Sequence, residues 1–441
     1  MIGVDVGPIG LPLHSAACGR YRRSIDCWEG IMTSPDDGDI PFGIRLRGLR
    51  ERRGMTRPVL AGLVGKSTDW VKSVEGGRIM TPRMPMLLRL AEALKVADLS
   101  ELTGSTRIPI GSITKAPVAG MDAVTAALFK PAGTAASPIP VAELVGRVDM
   151  AWQTWHRSQQ ERTAIAGVLP DLVAVARATA LSAPAADQRR ARAELARVYH
   201  LVQLLNAYQP AERLSWLSAD RAYTAAQEAD DPVAMAIAAW YYAHLYRSSG
   251  QVDLAVDVLT DAAGLLEPVK DADQNTRAVW GQLDLGLALA HAKAGRAGAA
   301  WKHWDATSAV ARSLGEAYHH PWLMYGVTAV DIYRVTIETD LARYGEAAAA
   351  ARKVTLNPLP SHTRRAFFLI EQARQRRAEQ DDVGVIYHLT RAMRESFDTT
   401  KHHPVARAAI VELAERPGIV GEDARELALV IGMDGDGGYV G

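Results

Sequence analysis

Arg57 to Glu75 reads RPVLAGLVGKSTDWVKSVE, and the fold of the N-terminal part of the chain follows from how this stretch has to pack. Val59, Leu60 and Leu63 supply the apolar face of one short helix, and Ala61 is small enough for close contact with a neighbour. Val71 and Val74 do the same for a second helix. Gly65 stands between them, where a tight turn needs a residue free to take positive φ. Thr56 is placed to cap the first helix, whose first turn tolerates Pro58, and Ser67 is placed to cap the second. Glu75-Gly76-Gly77 ends it.

The pattern extends on both sides. Phe42, Leu46 and Leu49 recur at i, i+4 and i+7 with Ile44 beside them, which predicts a helix over 42–53 stopped by Gly54. Leu87, Leu88, Leu90, Ala91 and Leu94 predict a fourth helix over 85–94, and a short fifth is expected near 98–102. Residues 41–104 hold twelve basic and six acidic residues, a net +6. The whole chain balances 50 basic against 50 acidic, so the remainder carries −6. A basic head on an acidic body suits a protein that sets one end against phosphates.

Five short helices with these landmarks resemble the Xre/Cro/phage-repressor family of helix-turn-helix domains. The resemblance rests on Leu46, Leu49, Arg50, Gly54, Leu60, Ala61, Gly65, Ser67, Val71, Glu75, Gly77, Leu90, Ala91, Leu94 and Leu102. It implies that the third helix lies in the major groove of double-stranded DNA. Arg57, Ser67, Thr68, Asp69, Lys72, Ser73 and Arg78 are then the DNA-facing set. Arg57 would clamp a phosphate where the family often has glutamine, while Pro58 departs from the family's usual acidic residue. Aspartate can accept from a cytosine amino group, threonine can meet a thymine methyl, and lysine can serve guanine or a phosphate. Asp69 stands equally as a first-turn acid that complements the helix dipole. Trp70 is expected to pack on the second helix, and Arg50 with Glu75 to tie the first helix to the third. Arg45, Arg47, Arg52 and Arg53 are expected to add to the phosphate-binding field as a group.

Residues 1–40 are expected to form a disordered extension. Met32, followed by TSPDDGD, is a plausible alternative start. Residues 105–140, rich in Gly, Pro, Thr, Ala and Ser, are expected to be a linker, with a short strand or hairpin over 107–115 and one or two helical turns over 121–130. From Val141 the pattern is helical almost throughout. Gly250 is followed five residues later by Ala255, Gly295 by Ala300, and Ala342 by Ala347. A helix, a tight turn and a return helix with a small residue at the crossing make a helical-hairpin repeat. Hairpins are expected near 191–228, 232–268, 275–313, 321–355, 361–398 and 402–432, with helices over 143–157 and 160–180 capping or extending the stack, and a flexible tail over 433–441. Tyr246, Gly250, Ala255, Leu259 and Ala262 resemble a tetratricopeptide repeat, although the spacing exceeds the roughly 34 residues of that motif.

The fold expected is therefore all-α: a five-helix lambda-repressor-like DNA-binding domain joined to an α-solenoid of degenerate tetratricopeptide-like hairpins. The concave side of such a stack is lined by first helices. Tyr242, Tyr246, Arg247, Gln282, Asp284, His291, Tyr325, Asp331 and Arg334 sit there and could take a peptide, a small molecule or a protein partner, although aromatic residues at helical spacing more often belong to a core. The adjacent pairs His319-His320 and His402-His403 diverge on a helix and suit a capping or loop role rather than metal binding.

Two cysteines, Cys18 and Cys27, give the body no disulfide framework and no zinc spacing. No apolar run reaches the roughly 18 residues of a membrane span, and no signal-peptide order is present. The GxxxxGK[ST], HExxH and GxSxG motifs are absent. The expectation is a cytoplasmic, dimeric transcription regulator without cofactor or enzymatic activity, reading a DNA operator under the control of a ligand or partner. Regulators that join these two domain types include some that answer to signalling peptides. The alternative is a scaffold or antagonist of another regulator, with secondary DNA contacts.

Overall fold

The computed structural model describes residues 41–79, 82, 84–96, 99–104, 118–131, 136–209 and 212–433. Every regular element among them is a helix. Internal contacts divide the chain into two units, 1–108 and 109–441. The strand or hairpin expected over 107–115, the extension over 1–40 and the tail from 434 lie outside the described residues.

The head contains α1 (Phe42–Arg52), α2 (Arg57–Leu63), α3 (Thr68–Glu75), α4 (Met84–Ala93) and α5 (Ser100–Thr103). Leu46, Leu60, Val71, Val74, Leu90, Leu94 and Leu102 are wholly buried and form its core. Two assignments change. Val59 is 50% and Leu63 60% exposed, so α2 buries Leu60 and Ala61 instead, with Val64 just beyond it. A helix of seven residues turns one narrow stripe inward, and the neighbouring residue lies about 100° away. Ile44 is likewise exposed on α1.

The body begins earlier than the sequence pattern suggests. Helix α6 (Met121–Phe129), inside the span expected as linker, places Val124, Ala127 and Leu128 in the main core. It packs on α8 (Glu161–Ser182), which follows α7 (Val141–Arg157). By length and composition α8 is apolar enough to cross a membrane, a feature that run length misses because charged residues interrupt it. In this body it is a core helix that buries Ile165, Leu169, Val173 and Ala176.

Six helix pairs follow: α9 (Ala185–Asn206) with α10 (Glu212–Glu228), α11 (Pro232–Ser248) with α12 (Val252–Leu266), α13 (Gln274–Lys293) with α14 (Ala297–Leu314), α15 (Val327–Asp340) with α16 (Tyr344–Ala351), α17 (His362–Ala378) with α18 (Asp382–Glu395), and, after α19 (Phe397–His402), α20 (Pro404–Ala414) with α21 (Ile419–Val430). Four of the pairs share one turn. Gly250, Gly295, Ala342 and Gln380 each take positive φ, of 81°, 74°, 59° and 62°. After each, the next amide donates to the carbonyl five residues back, as Gln251 to Tyr246, Arg296 to His291, Arg343 to Glu338 and Asp381 to Arg376, at 2.8–3.0 Å. That bond closes a Schellman-type helix end. Five residues after each turn residue stands a fully buried small or branched side chain: Ala255, Ala300, Ala347 and Val385.

Because alanine has a Cβ, its left-handed conformation at position 342 is strained by about 1 kcal/mol. Ala342→Gly is therefore expected to raise the stability of the body by several tenths to about 1 kcal/mol, the relief being partly offset by glycine's greater freedom in the unfolded chain. Denaturant melts of the two proteins check this, and a loss of stability would contradict the turn assignment.

The last pairs return to the first helices of the body. Ser396 Oγ and Thr399 Oγ1 donate to the two oxygens of the buried Glu161 carboxyl at 2.7 and 2.5 Å. The Thr163 amide donates to Asp398 at 2.8 Å, and the Phe397 amide to the Gln159 carbonyl at 2.9 Å. Helices α7 and α8, expected to cap or extend one end of the stack, thus also meet its fifth pair and the short α19.

Candidate nucleic-acid interface and interior cavity

The geometry of α2 and α3 follows from their caps. Thr56 Oγ1 accepts from the Val59 amide at 3.5 Å, and Ser67 Oγ accepts from the Trp70 amide at 3.1 Å. Gly65, at φ 65°, makes the turn between them. Val71 and Val74 fix the inner face of α3. The opposite side presents Thr68, Asp69 and Lys72 to solvent, with Ser73 half-buried beside them. These four positions, i, i+1, i+4 and i+5, share one face of a helix. Arg78 is exposed just past Gly77, its amide bonded to the Ser73 carbonyl at 2.9 Å. Trp70 is half-buried, with Lys66 Nζ 5.9 Å from its ring centroid.

A buried ionic knot locks this arrangement. The Glu75 side chain is 1% exposed and accepts from Arg50 Nε at 2.5 Å, Arg50 Nη2 at 3.2 Å and Arg57 Nε at 2.7 Å. Arg50 Nη1 also donates to the Met55 carbonyl at 2.7 Å. The hydrogen bond it donates to Glu75 holds the Arg50 guanidinium above its ordinary pKa. The Arg50–Glu75 tie is the one the family resemblance implies. The inclusion of Arg57 is not: read as a phosphate clamp, it also bonds to Glu75, with its side chain 37% exposed. Two more arginines counted toward the phosphate field have internal partners. Arg47 pairs with Glu51 at 2.9 Å, and Arg53 donates to the Leu94 and Lys95 carbonyls at 2.8 and 3.0 Å, closing the end of α4. Nothing in the sequence around Gly43 marks its role. A side chain there would collide with the backbone carbonyl of Val74 and lie 2.8 Å from that of Glu75, so glycine sets how closely α1 approaches the end of α3.

Residues 41–102 match the helix-turn-helix domain family. Such a domain implies DNA binding and suggests a regulator. No curated protein and no solved structure matches the chain.

The body contains a second candidate site, a partly open cavity of about 280 Å³. The first helices of successive pairs line it: Tyr241, His244 and Arg247 from α11, Leu289 and Lys293 from α13, Tyr333 and Asp340 from α15, and Arg364, Phe367, Glu371 and Arg374 from α17. Trp152, Trp155 and His156 of α7 and Arg162 of α8 supply the facing wall. His156 links the two sides, with Nε2 against the Trp322 carbonyl at 2.8 Å and Nδ1 against Ser361 Oγ at 2.9 Å.

Of the nine residues expected to line a groove, only Arg247 reaches this cavity. Tyr242 and Tyr246 pack around Trp216, and the Tyr242 hydroxyl donates to Asp220 at 3.3 Å. Gln282 is buried within the body. Asp284 bonds His303 at 2.8 Å, and His291 stacks on that same histidine. Tyr325 is a core residue whose hydroxyl donates to the Thr307 carbonyl at 2.7 Å. Asp331 is half-buried, its carboxyl pushed up by desolvation, and Arg334 lies 5.0 Å over Trp304. The cavity-facing phase of α11 is one residue earlier than expected, at Tyr241 rather than Tyr242. His403 caps α20 and His320 braces a loop, the capping or loop roles expected: Nδ1 of each accepts a nearby backbone amide, from Val405 at 3.3 Å and from Leu323 at 3.2 Å.

Proposed function

We propose that this chain is a cytoplasmic, Xre-type transcription regulator that binds a specific DNA operator as a homodimer. Its helical body, a degenerate tetratricopeptide-like array, senses an effector and adjusts operator affinity. The observation that carries the DNA-reading half is the outer face of α3. Thr68, Asp69, Lys72 and Ser73 stand together opposite the buried Val71 and Val74, on a helix whose start is capped by Ser67. Side chains so placed can reach base edges once the helix enters the major groove. Arg57 and Arg78 flank that face and are suited to phosphates. The array reading is supported by the turn shared by four pairs and by the cavity its first helices line.

Footprinting against genomic fragments at several salt concentrations tests the reading. Lys72→Ala combined with Thr68→Ala is expected to weaken the specific site at least tenfold while helical content is unchanged. Arg78→Ala is expected to weaken all sequences similarly and to reduce the slope of affinity against salt by about one. Equal binding to every fragment would defeat the proposal and favour a scaffold that only associates with DNA.

A further inference from the structure

We propose that the cavity of the body binds a small organic anion, a carboxylate carried on a flat aromatic frame, with Arg247 and Arg364 as its charge contacts. This names the effector class for the regulator reading above and rests on that reading only for its consequence at DNA.

The charges decide the sign of the ligand. Five basic side chains line the cavity, Arg162, Arg247, Lys293, Arg364 and Arg374, against two acidic ones, Asp340 and Glu371. Arg374 engages both acids, through an ion pair with Asp340 and a 3.2 Å bond to Glu371. Arg162 Nη1 is taken up by the carbonyls of Leu204, Leu205 and Ala207 at 3.0, 3.0 and 3.1 Å. Arg364 bonds the Tyr333 hydroxyl and, at 3.4 Å, the Leu323 carbonyl, both neutral groups. Arg247 is half-buried as a residue, but its Nη1 is fully buried and has no hydrogen-bond partner. Neither Arg247 nor Arg364 forms an ion pair with a carboxylate among the described residues.

A buried cationic donor without an acceptor is rare and costly, and an anion in the cavity would relieve it. Desolvation already draws Arg247 down to about 10, the direction expected of a guanidinium lacking a counter-charge. His244, also in the cavity wall, is held neutral at physiological pH by burial and by both of these arginines, so it carries no charge of its own there.

The walls and the volume decide the rest. Trp155, Tyr241, Trp322 and Phe367 offer flat apolar surfaces, and Trp152 adds an indole N–H that is buried and unpartnered. About 280 Å³ lies at the lower edge of the roughly 300–1,000 Å³ usual for small-molecule sites. That size suits a small molecule. A ligand there would bridge α7 and α8 to α17, the joint where the array meets its own beginning, so occupancy would stiffen that joint.

The test uses the full chain and two probes of nearly equal shape, 1-naphthoate and the neutral 1-naphthamide, followed by calorimetry and thermal melting. Naphthoate is expected to bind at least tenfold more tightly and to raise the melting temperature of the body. Arg247→Gln and, separately, Arg364→Gln are expected to lower naphthoate affinity at least tenfold while naphthamide affinity stays within twofold, with circular dichroism confirming the fold. Equal binding of the two probes, or no binding of naphthoate at millimolar concentration, overturns the site. The comparison of probes on the unmodified chain needs no variant, so a misfolded mutant does not blunt it. Operator footprinting on the same preparation separates the two readings. Naphthoate binding without a specific footprint defeats the regulator and leaves the site, and a footprint without naphthoate binding does the reverse.

Discussion

Glu75→Ala is expected to unfold the helices of residues 41–103 and to abolish retention on DNA, although Glu75 faces away from the proposed DNA surface. Glu75 is the shared acceptor for Arg50 and Arg57, one on each of the two helices that α3 packs against. Arg57 can turn toward solvent when the carboxylate is lost, but Arg50, only 7% exposed, cannot, and is left with the Met55 carbonyl and the exposed Glu51 at 3.3 Å. Stranding one partner of a buried pair costs about 3–5 kcal/mol. That is comparable to the whole stability of many small domains. Hydrogen exchange on the full chain checks the outcome: peptides from 41–103 should lose protection while peptides from 118–433 keep theirs. Adding Arg50→Met should restore part of that protection, because a buried pair is often replaceable by apolar side chains when both partners go. Unchanged protection in Glu75→Ala would mean that the knot is not structural. Lys72→Ala provides the contrast, losing DNA with protection intact.

The comparison of Glu75 with Lys72 shows what the sequence could reveal about the head. Caps and turns are local signals, so Thr56, Gly65 and Ser67 were readable from residue type and position alone, and the structure places each where the reading put it. Arg57 was only half readable, because its second partner lies 18 residues away and already had a partner in Arg50. Val59 and Leu63 misled because an apolar residue on a short helix carries no mark of which side faces inward. In the body the turns at Gly250, Gly295 and Ala342 were legible, since the turn residue and the small residue five positions later are local, while the same turn at Gln380 carries no such mark. The phase of α11 was not: Ala236 through Tyr241 are all buried, so hydrophobicity is nearly continuous and says nothing about which side faces the cavity. The contacts from His156 to Ser361 and from Glu161 to Ser396 and Thr399 join residues more than 200 positions apart, and no spacing along the chain announces them.

Acidification from pH 7 to pH 5 is expected to destabilise the body steeply while acting little on the head through histidine, since residues 41–104 contain none. His156, His200, His320 and His403 are buried, and desolvation drives each down to about 3. Nearby guanidiniums add to the effect: Arg364 for His156, Arg197 for His200 and His320, Arg162 and Arg374 for His403. In the unfolded chain each titrates near 6.5. Between about 6.5 and 3 the unfolded state therefore binds more protons than the folded one, so stability is full above 6.5 and falls as pH falls. Each histidine accounts for up to about 2 kcal/mol by pH 5. The carboxyls of Glu161, Glu194, Asp331 and Glu371 act in the opposite sense. Desolvation raises them, the folded state holds their protons more tightly, and they return some stability toward the acid end. The loss should thus steepen as pH falls through 6.5, where the unfolded histidines take up protons, and flatten as the carboxyls protonate. Scanning calorimetry of the full chain should show the body transition falling by roughly 10 °C or more between pH 7 and pH 5. His200 is the residue on which to test the cause, because its ring stacks 4.4 Å from Tyr241 and its Nδ1 has no hydrogen-bond partner. His200→Phe keeps an aromatic ring in that place and removes the titration, so the fall should become shallower by about one histidine's share. A body transition independent of pH across this range would contradict the burial of these four side chains as neutral groups.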